Sequence, residues 1–104
     1  MSNHIYQTCL QGMLKIIILH QAAKGPFYGL AFSKFMQGLG YNISPGSLYP
    51  LLHGMEKEGL LSSYTYMIQG RIRKYYELSD QGRACLVKVQ NQLAGLVQEI
   101  ILNN

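Results

Sequence analysis

Apolar positions recur at helical spacing in three segments of the first half of the chain. Residues 6–23 are apolar on almost every side, which predicts a long helix that is buried on several faces. Aromatic side chains step at helical spacing over residues 28–37, so a second helix is predicted there. The third helix is predicted to begin after Ser44, a good capping residue, with Pro45 in its first turn and Gly59 at its end.

The second half of the chain predicts a hairpin followed by one long helix. Residues 60–66 and 71–78 are rich in Tyr, Leu, Ile and Thr, and residues 67–70 are predicted to form the tip between them. The last helix is predicted to begin after the capping residue Ser79 and to end near residue 102. Its apolar residues alternate spacings of three and four, as in a heptad seam formed by Leu86, Val89, Leu93, Leu96 and Ile100.

Composition limits the class of protein. The chain has 104 residues, of which 48% are hydrophobic and 13% are charged. The length predicts one domain, and the charged share is about half of the roughly 25% that is usual. This composition excludes a disordered chain and predicts an apolar surface that a partner chain covers. No apolar run is long enough to cross a membrane, and no secretory signal peptide is expected. Two cysteines are too few for a disulfide framework. The expected location is therefore the cytoplasm.

The net charge of +4 is unevenly distributed along the chain. Residues 1–55 contain three lysines and no acidic residue, whereas Arg71, Arg73 and Lys74 lie together in the predicted hairpin. A small basic domain with one basic cluster suggests binding to nucleic acid, to an acidic partner or to an anionic membrane surface. The alternative is a mildly basic protein with a solvated loop.

The order helix, helix, helix, hairpin, helix is that of a winged helix-turn-helix. The predicted fold class is α+β and mostly α, with three helices, a two-stranded wing and a C-terminal dimerisation helix. In this fold the third helix enters the major groove of DNA with its N-terminal part leading, and the wing contacts phosphates or the minor groove. The expected DNA-binding residues are Ser44, Gly46, Ser47, Tyr49, His53, Lys57, Arg71, Arg73 and Lys74.

Several of these residues also have a structural interpretation that the sequence leaves open. Tyr49 can pack over its own helix, Ser47 can serve only as part of a cap, and His53 can be an idle surface residue. The basic residues of the wing can serve to prevent edge-to-edge aggregation.

No arrangement of residues indicates an enzyme. The serines and histidines lie in no nucleophile elbow and beside no suitable carboxylate base, and no phosphate-binding glycine loop is present in the sequence. The three histidines lack the spacing of metal ligands. We therefore expect no cofactor and no metal site.

Five short motifs resemble, in the same order, those of the PadR-type transcriptional regulators. They are PFYG at residues 26–29, GSLYPLL at 46–52, EGLL at 58–61, GRIRKYY at 70–76 and LSDQGR at 78–83. Any one of these motifs alone is a weak signal, but several in the right order are specific, and the resemblance covers about residues 10–90.

The resemblance implies a dimeric bacterial regulator, usually a repressor, that binds a palindromic operator. It implies that Tyr49, Arg73 and Lys74 contact DNA and that the first and last helices form the dimer interface. It also implies that a small aromatic effector can bind near this interface. The residues expected at the interface are Leu10, Leu14, Ile17, Leu86, Val89, Leu93, Leu96 and Ile100.

The predicted organisation is a winged DNA-binding domain at residues 1–78 and a dimerisation helix at residues 79–104, packed as one compact unit. Cys9 and Cys85 lie on the two helices expected at the interface, where buried inert thiols are the usual case and a redox switch is the alternative. The sequence thus predicts a regulator that binds double-stranded DNA as a homodimer. The competing interpretation is a winged-helix module that binds proteins and not DNA, since a fold does not determine a function.

Overall fold

The computed structural model describes residues 2–103 as four helices and a small sheet. The elements are α1 (Ser2–Lys24), β1 (Phe27–Tyr28), α2 (Gly29–Gly38), α3 (Pro45–Lys57), β2 (Leu61–Ile68), β3 (Arg71–Leu78) and α4 (Asp80–Val97). A π-helical turn, Gln98–Leu102, extends α4. The molecule measures 53 × 31 × 24 Å, so it is elongated. The predicted mostly helical α+β class is confirmed.

The sheet has three strands and not the two that the sequence predicts. Phe27 and Tyr28 form β1, which pairs antiparallel with β3 through Tyr76 and Tyr75. The strand order is β1-β3-β2. The prediction that α2 begins at Tyr28 is therefore wrong by one residue, because backbone pairing with β3 holds Tyr28 in an extended conformation.

The hairpin of β2 and β3 forms as predicted, with longer strands. Its register runs from Leu61 opposite Leu78 to Ile68 opposite Arg71. The turn is therefore two residues long and not the four-residue tip predicted. Gln69 and Gly70 both have positive φ, 51° and 78°, as in the tight turns that match the twist of paired strands.

Both predicted serine caps are confirmed. The Ser44 hydroxyl accepts a hydrogen bond from the Ser47 N–H at the start of α3. The Ser79 hydroxyl accepts one from the Gly82 N–H and donates one to the Gly59 carbonyl. The second cap therefore ties the start of α4 to the turn that ends α3.

The core lies between the second half of α1, helices α2 and α3, and the base of the sheet. Gly82 brings the first turn of α4 against this core: a Cβ at this position would lie 2.0 Å from the Leu60 carbonyl oxygen. The buried apolar side chains are Leu14, Ile18, Leu19, Ala22, Phe32, Met36, Leu48, Leu52, Met55, Leu61, Tyr76 and Leu86.

Candidate nucleic-acid interface

Helix α3 separates a buried face from an exposed one. Leu48, Leu52 and Met55 are buried, while Tyr49 and His53 lie one turn apart on the exposed side. The buried face fixes the orientation of the helix in the core. The exposed face is thereby left open to a ligand at Tyr49 and His53.

The first turn of α3 carries three of the predicted DNA-binding residues. Ser44, Gly46 and Ser47 are exposed there. The hydroxyl groups of Ser44 and Ser47 are 3.2 Å apart and hydrogen-bonded to each other. The capping interpretation of these serines therefore holds. Since Pro45 has no N–H and the N–H groups of Ser47 and Leu48 are bonded to Ser44, the Gly46 N–H is the one that this turn leaves for a phosphate.

Tyr49 lies over the start of α2. A Cβ placed on Gly29 would be 2.7 Å from both Cε1 and the hydroxyl oxygen of Tyr49. Glycine at this position therefore makes room for the tyrosine ring, which remains 40% exposed. This contact fixes the ring beside the sheet.

One face of the sheet carries Arg73 within a cluster of tyrosines. The guanidinium carbon of Arg73 is 4.3 Å from the centre of the Tyr28 ring, a cation–π contact. Tyr28 packs edge-on against Tyr75, and Tyr75 stacks on Tyr64 with ring centres 5.6 Å apart. These contacts restrict the rotamers of Arg73 and hold its charge near β1.

Lys74 points to the opposite face of β3, toward α3. Its ammonium nitrogen is 3.5 Å from Oε1 of Glu56, and the Ser63 hydroxyl donates a hydrogen bond to Oε2 of the same carboxylate. The hydrogen bond from Ser63 and the charges of Lys74 and His53 lower the pKa of Glu56, against the opposing effect of partial burial. Partial burial acts to lower the pKa of Lys74, but the Tyr76 hydroxyl and Glu56 outweigh it and raise that pKa. Both groups are therefore charged at neutral pH.

A groove of about 250 Å³ brings four of the predicted site residues together. It lies between the start of α2, the exposed face of α3 and strand β3. The predicted residues that line it are Tyr49, Arg71, Arg73 and Lys74. His53 and Lys57 are exposed on α3 outside this groove.

Four residues of this region were missed by the sequence-based prediction. Tyr28 lies in the second helix that the sequence predicts, and no site role is predicted for Gly29, Glu56 or Ser63. In the sequence, Tyr28 lies beside a glycine. Only the β1–β3 register shows that it also lies opposite the arginine-rich strand β3. Nothing in the sequence indicated the pairing of Glu56 with Ser63.

The residues expected at a dimer interface divide into three groups by exposure. Leu14 and Leu86 are 5% exposed and belong to the core of the protomer itself, and Leu10, Ile17 and Val89 are half-buried. The exposed members are Leu93, Leu96 and Ile100. Neighbouring apolar residues on α1 are also exposed, namely Ile5, Tyr6 and Met13.

Other candidate chemistry can be placed within residues 2–103. Cys9 is exposed and Cys85 is half-buried. No group of three or more His, Cys, Asp or Glu side chains in this part of the chain is arranged to hold a metal ion. None of the helices described is both long and apolar enough to cross a membrane.

Comparison with known proteins identifies the family. The profile of the "Transcriptional regulator PadR-like family" matches residues 18–88. The transcriptional regulator Rv3488 of Mycobacterium tuberculosis is 36% identical over 88 residues, which span 85% of this chain and 82% of the relative. A PadR-like transcription factor from Bacteroides fragilis superposes with a TM-score of 0.84 at 25% identity, covering 97% of this chain and 99% of the other.

A second similar structure is Bacillus subtilis PadR, solved in complex with operator DNA. Its TM-score is 0.69 at 24% identity, and the match covers 75% of this chain and 46% of that one. This likeness shows a shared fold. The family consists of transcriptional regulators and not of enzymes. The chain described here belongs to the PadR-like family of transcriptional regulators.

Proposed function

We propose that this regulator binds operator DNA in a sequence-specific manner. The observation that carries the proposal is the groove in which Tyr49 of α3 lies beside Arg71, Arg73 and Lys74 of the wing. A helix that enters the major groove and a basic strand that reaches the flanking phosphates need this proximity. The complex of Bacillus subtilis PadR with operator DNA supports the proposal at the level of the fold.

The proposed contacts follow from where each side chain lies. The first turn of α3, with Ser44, Gly46 and Ser47, approaches a phosphate, and the exposed face beyond it, with Tyr49 and His53, enters the major groove. Lys57 and the basic residues of β3 contact phosphates on either side of the groove.

We also propose that the protein acts as a homodimer. Leu93, Leu96 and Ile100 expose a continuous apolar surface on α4, and Leu10 and Ile17 add a half-buried one on α1. A second copy related by two-fold symmetry covers both surfaces. The operator is then palindromic, with half-sites roughly 34–36 Å apart. Leu14 and Leu86 support this surface from within the protomer. In this proposal, residues 1–78 carry the DNA contacts and residues 79–104 supply the helix that pairs the two subunits.

The proposed regulatory effect is repression. A small dimer that covers its operator excludes other proteins from the same DNA, and this needs no further surface on the regulator. The compartment in which a bacterial chromosome is bound is the cytoplasm, which is the location we propose.

Binding to a mixed-sequence DNA duplex at two salt concentrations tests the DNA-binding surface of this proposal. The wild-type protein should bind with a dissociation constant on the order of 1–100 μM and lose most of this affinity at higher salt. Arg73→Ala should weaken binding to all sequences and reduce the slope of log affinity against log salt by about 1. Arg83→Ala is the matched control, because it removes the same charge from an exposed position on α4.

Two outcomes would contradict the proposal. If Arg73→Ala changed neither affinity nor salt slope, Arg73 would not be a wing contact. If a folded wild-type dimer bound no duplex at low salt, the competing role as a protein-interaction module would be favoured.

A small-molecule effector is the second candidate function, and one cavity favours it. The cavity has a volume of about 270 Å³ and is lined by Phe27, Phe32 and Phe35, with Lys24 nearby. Gln21 also lines it, and the side-chain oxygen of Gln21 is buried without a hydrogen-bond partner within residues 2–103. Small aromatic compounds that raise the melting temperature and release the duplex would support this role, and compounds that do neither would count against it.

A further inference from the structure

Three elements of the DNA-binding region meet at a single carboxylate. Glu56 in the last turn of α3 accepts a hydrogen bond from Ser63 of β2 and pairs with Lys74 of β3. We call these three residues the Glu56 cluster. The pair of Glu56 and Lys74 is the one ion pair found within residues 2–103. The cluster as a whole connects both strands of the wing to the helix proposed to enter the major groove.

The position of Glu56 makes this arrangement unexpected for a DNA-binding surface. Glu56 lies three residues beyond His53 and seven beyond Tyr49, so the three share one side of α3. The side chain of Glu56 is 32% exposed. A carboxylate at this place is repelled by phosphates, and its removal alone should therefore strengthen binding.

The contacts of the cluster act in the opposite direction. Each carboxylate oxygen is used by a different strand, since Oε2 accepts from Ser63 while Oε1 faces the ammonium of Lys74. A charge-assisted hydrogen bond of this kind is stronger than a neutral one and restricts the rotamer of the donor. The lowered pKa of Glu56 and the raised pKa of Lys74 agree with a fully charged pair.

The base of the wing is held by a different contact, in the turn that follows α3. There, Ser79 donates to the Gly59 carbonyl and caps α4. The Glu56 cluster is therefore the polar connection between α3 and the part of the wing that lies nearer the groove. Without it, the polar contacts between α3 and the wing are those at the base, where the Leu60 N–H donates to the Met55 carbonyl and Ser79 donates to Gly59.

We propose that Glu56 is a positioning residue for DNA binding, which holds the wing against α3 and fixes the ammonium group of Lys74 beside the end of that helix. The inference rests on the proposed function and adds the residue that sets its geometry. Its consequence is a reversal of sign: loss of this negative charge weakens binding to a polyanion.

The test compares two glutamates at the end of α3 in the full-length protein. Glu56→Gln removes the charge of the cluster, and Glu58→Gln removes the same charge from an exposed residue two positions further along. On a mixed-sequence duplex we expect Glu56→Gln to bind about fivefold more weakly than wild type, with the salt slope reduced by about 1 because Lys74 no longer holds its phosphate. Glu58→Gln should bind equally well or more tightly.

Two further variants separate positioning from charge. Ser63→Ala leaves every charge in place and removes only the hydrogen-bond donor, so it should weaken binding in the same direction as Glu56→Gln. Lys74→Arg keeps the ion pair and should stay close to wild type. If Glu56→Gln bound as tightly as Glu58→Gln or more tightly, the proposal would be overturned.

Hydrogen exchange of the DNA-free protein tests whether Glu56 positions the wing, and this test does not depend on DNA binding. Backbone amides of β2 and β3 should exchange faster in Glu56→Gln and Ser63→Ala than in wild type and Glu58→Gln. Equal exchange in all four proteins would refute the positioning role. Failure of the wild-type protein to bind any duplex, with the exchange difference present, would refute the proposed function alone.

Discussion

Apolar side chains are buried in the centre of the molecule but exposed at the outer ends of its two longest helices, α1 and α4. Leu52 in α3 is fully buried, whereas Leu96 in α4 is 55% exposed. Every large apolar side chain of the outer ends lies at least partly in solvent, as Ile5, Tyr6, Met13, Leu93, Leu96, Ile100, Ile101 and Leu102 show. The apolar residues of this chain therefore serve two purposes, since one set folds the protomer and the other is available for association.

The largest effect should come from a charge in the centre. Leu52→Asp places a carboxylate without a partner in the core, and we expect a loss of about 5 kcal/mol or more in the free energy of unfolding. Because small domains are stable by only about 5–15 kcal/mol, the variant should be largely unfolded by circular dichroism at room temperature. Leu30→Asp is the control, since Leu30 is 55% exposed on α2 and its variant should keep the wild-type spectrum.

The same substitution at the outer end of α4 should leave the fold intact and separate the subunits. Leu93 is 38% exposed in the protomer and lies in the middle of the proposed seam. Leu93→Asp should therefore retain its helical spectrum and sediment as a monomer, because dimerisation would bury an unpaired charge. Gln92→Asp adds the same charge beside the seam and should remain dimeric. A dimeric Leu93→Asp would contradict the seam as the interface.

Two glycines on α4 provide a finer comparison of the two regions. A Cβ on Gly82 would collide with the Leu60 carbonyl, whereas a Cβ on Gly95 meets nothing within 4 Å in the protomer. Gly82→Ala should lower the free energy of unfolding by about 2–4 kcal/mol, because the backbone of α4 must move. Gly95→Ala should raise it by roughly 0.5–1 kcal/mol through helix propensity. Thermal unfolding of both variants measures the difference. Destabilisation by Gly95→Ala would indicate a partner helix packed closely at this position.

The sequence predicted the elements whose signals are local. Ser44 and Ser79 cap their helices as expected, and the hairpin forms where the runs rich in Tyr, Leu, Ile and Thr predict it. Strand β1 was not predictable in this way, because Tyr28 keeps helical spacing with the aromatics after it while its pairing partner Tyr75 lies far along the chain. Long-range pairing overrode local spacing there.

The candidate site was predictable only in part for the same reason. Arg73 and Lys74 were recognised from their charge, and their opposite faces follow from the period of a strand. The partners that orient them, Tyr28 and Glu56, depend on how α2 and α3 pack against the sheet. Likewise, Leu86 and Leu96 belong to one seam in the sequence, but only the course of α4 over the core shows that Leu86 is buried in the protomer and Leu96 is exposed.

The smallest expected effect is a pH dependence confined to the centre of the molecule. Since the hydrogen bond from Ser63, with Lys74 and His53, lowers the pKa of Glu56, its stabilising contribution is present above pH 4.5 and is lost as the pH falls through the lowered pKa. We expect this contribution to be below about 1 kcal/mol because the pair is partly exposed to solvent. The melting temperatures of wild type and Glu56→Gln should therefore differ by a constant amount around neutral pH and converge in acid. The apolar seam on α4 contains no ion pair among the residues described, so dissociation of the proposed dimer should not follow the pH dependence of this carboxylate. A gap between the two proteins that persisted in acid would mean that the carboxylate charge is not what stabilises the wing.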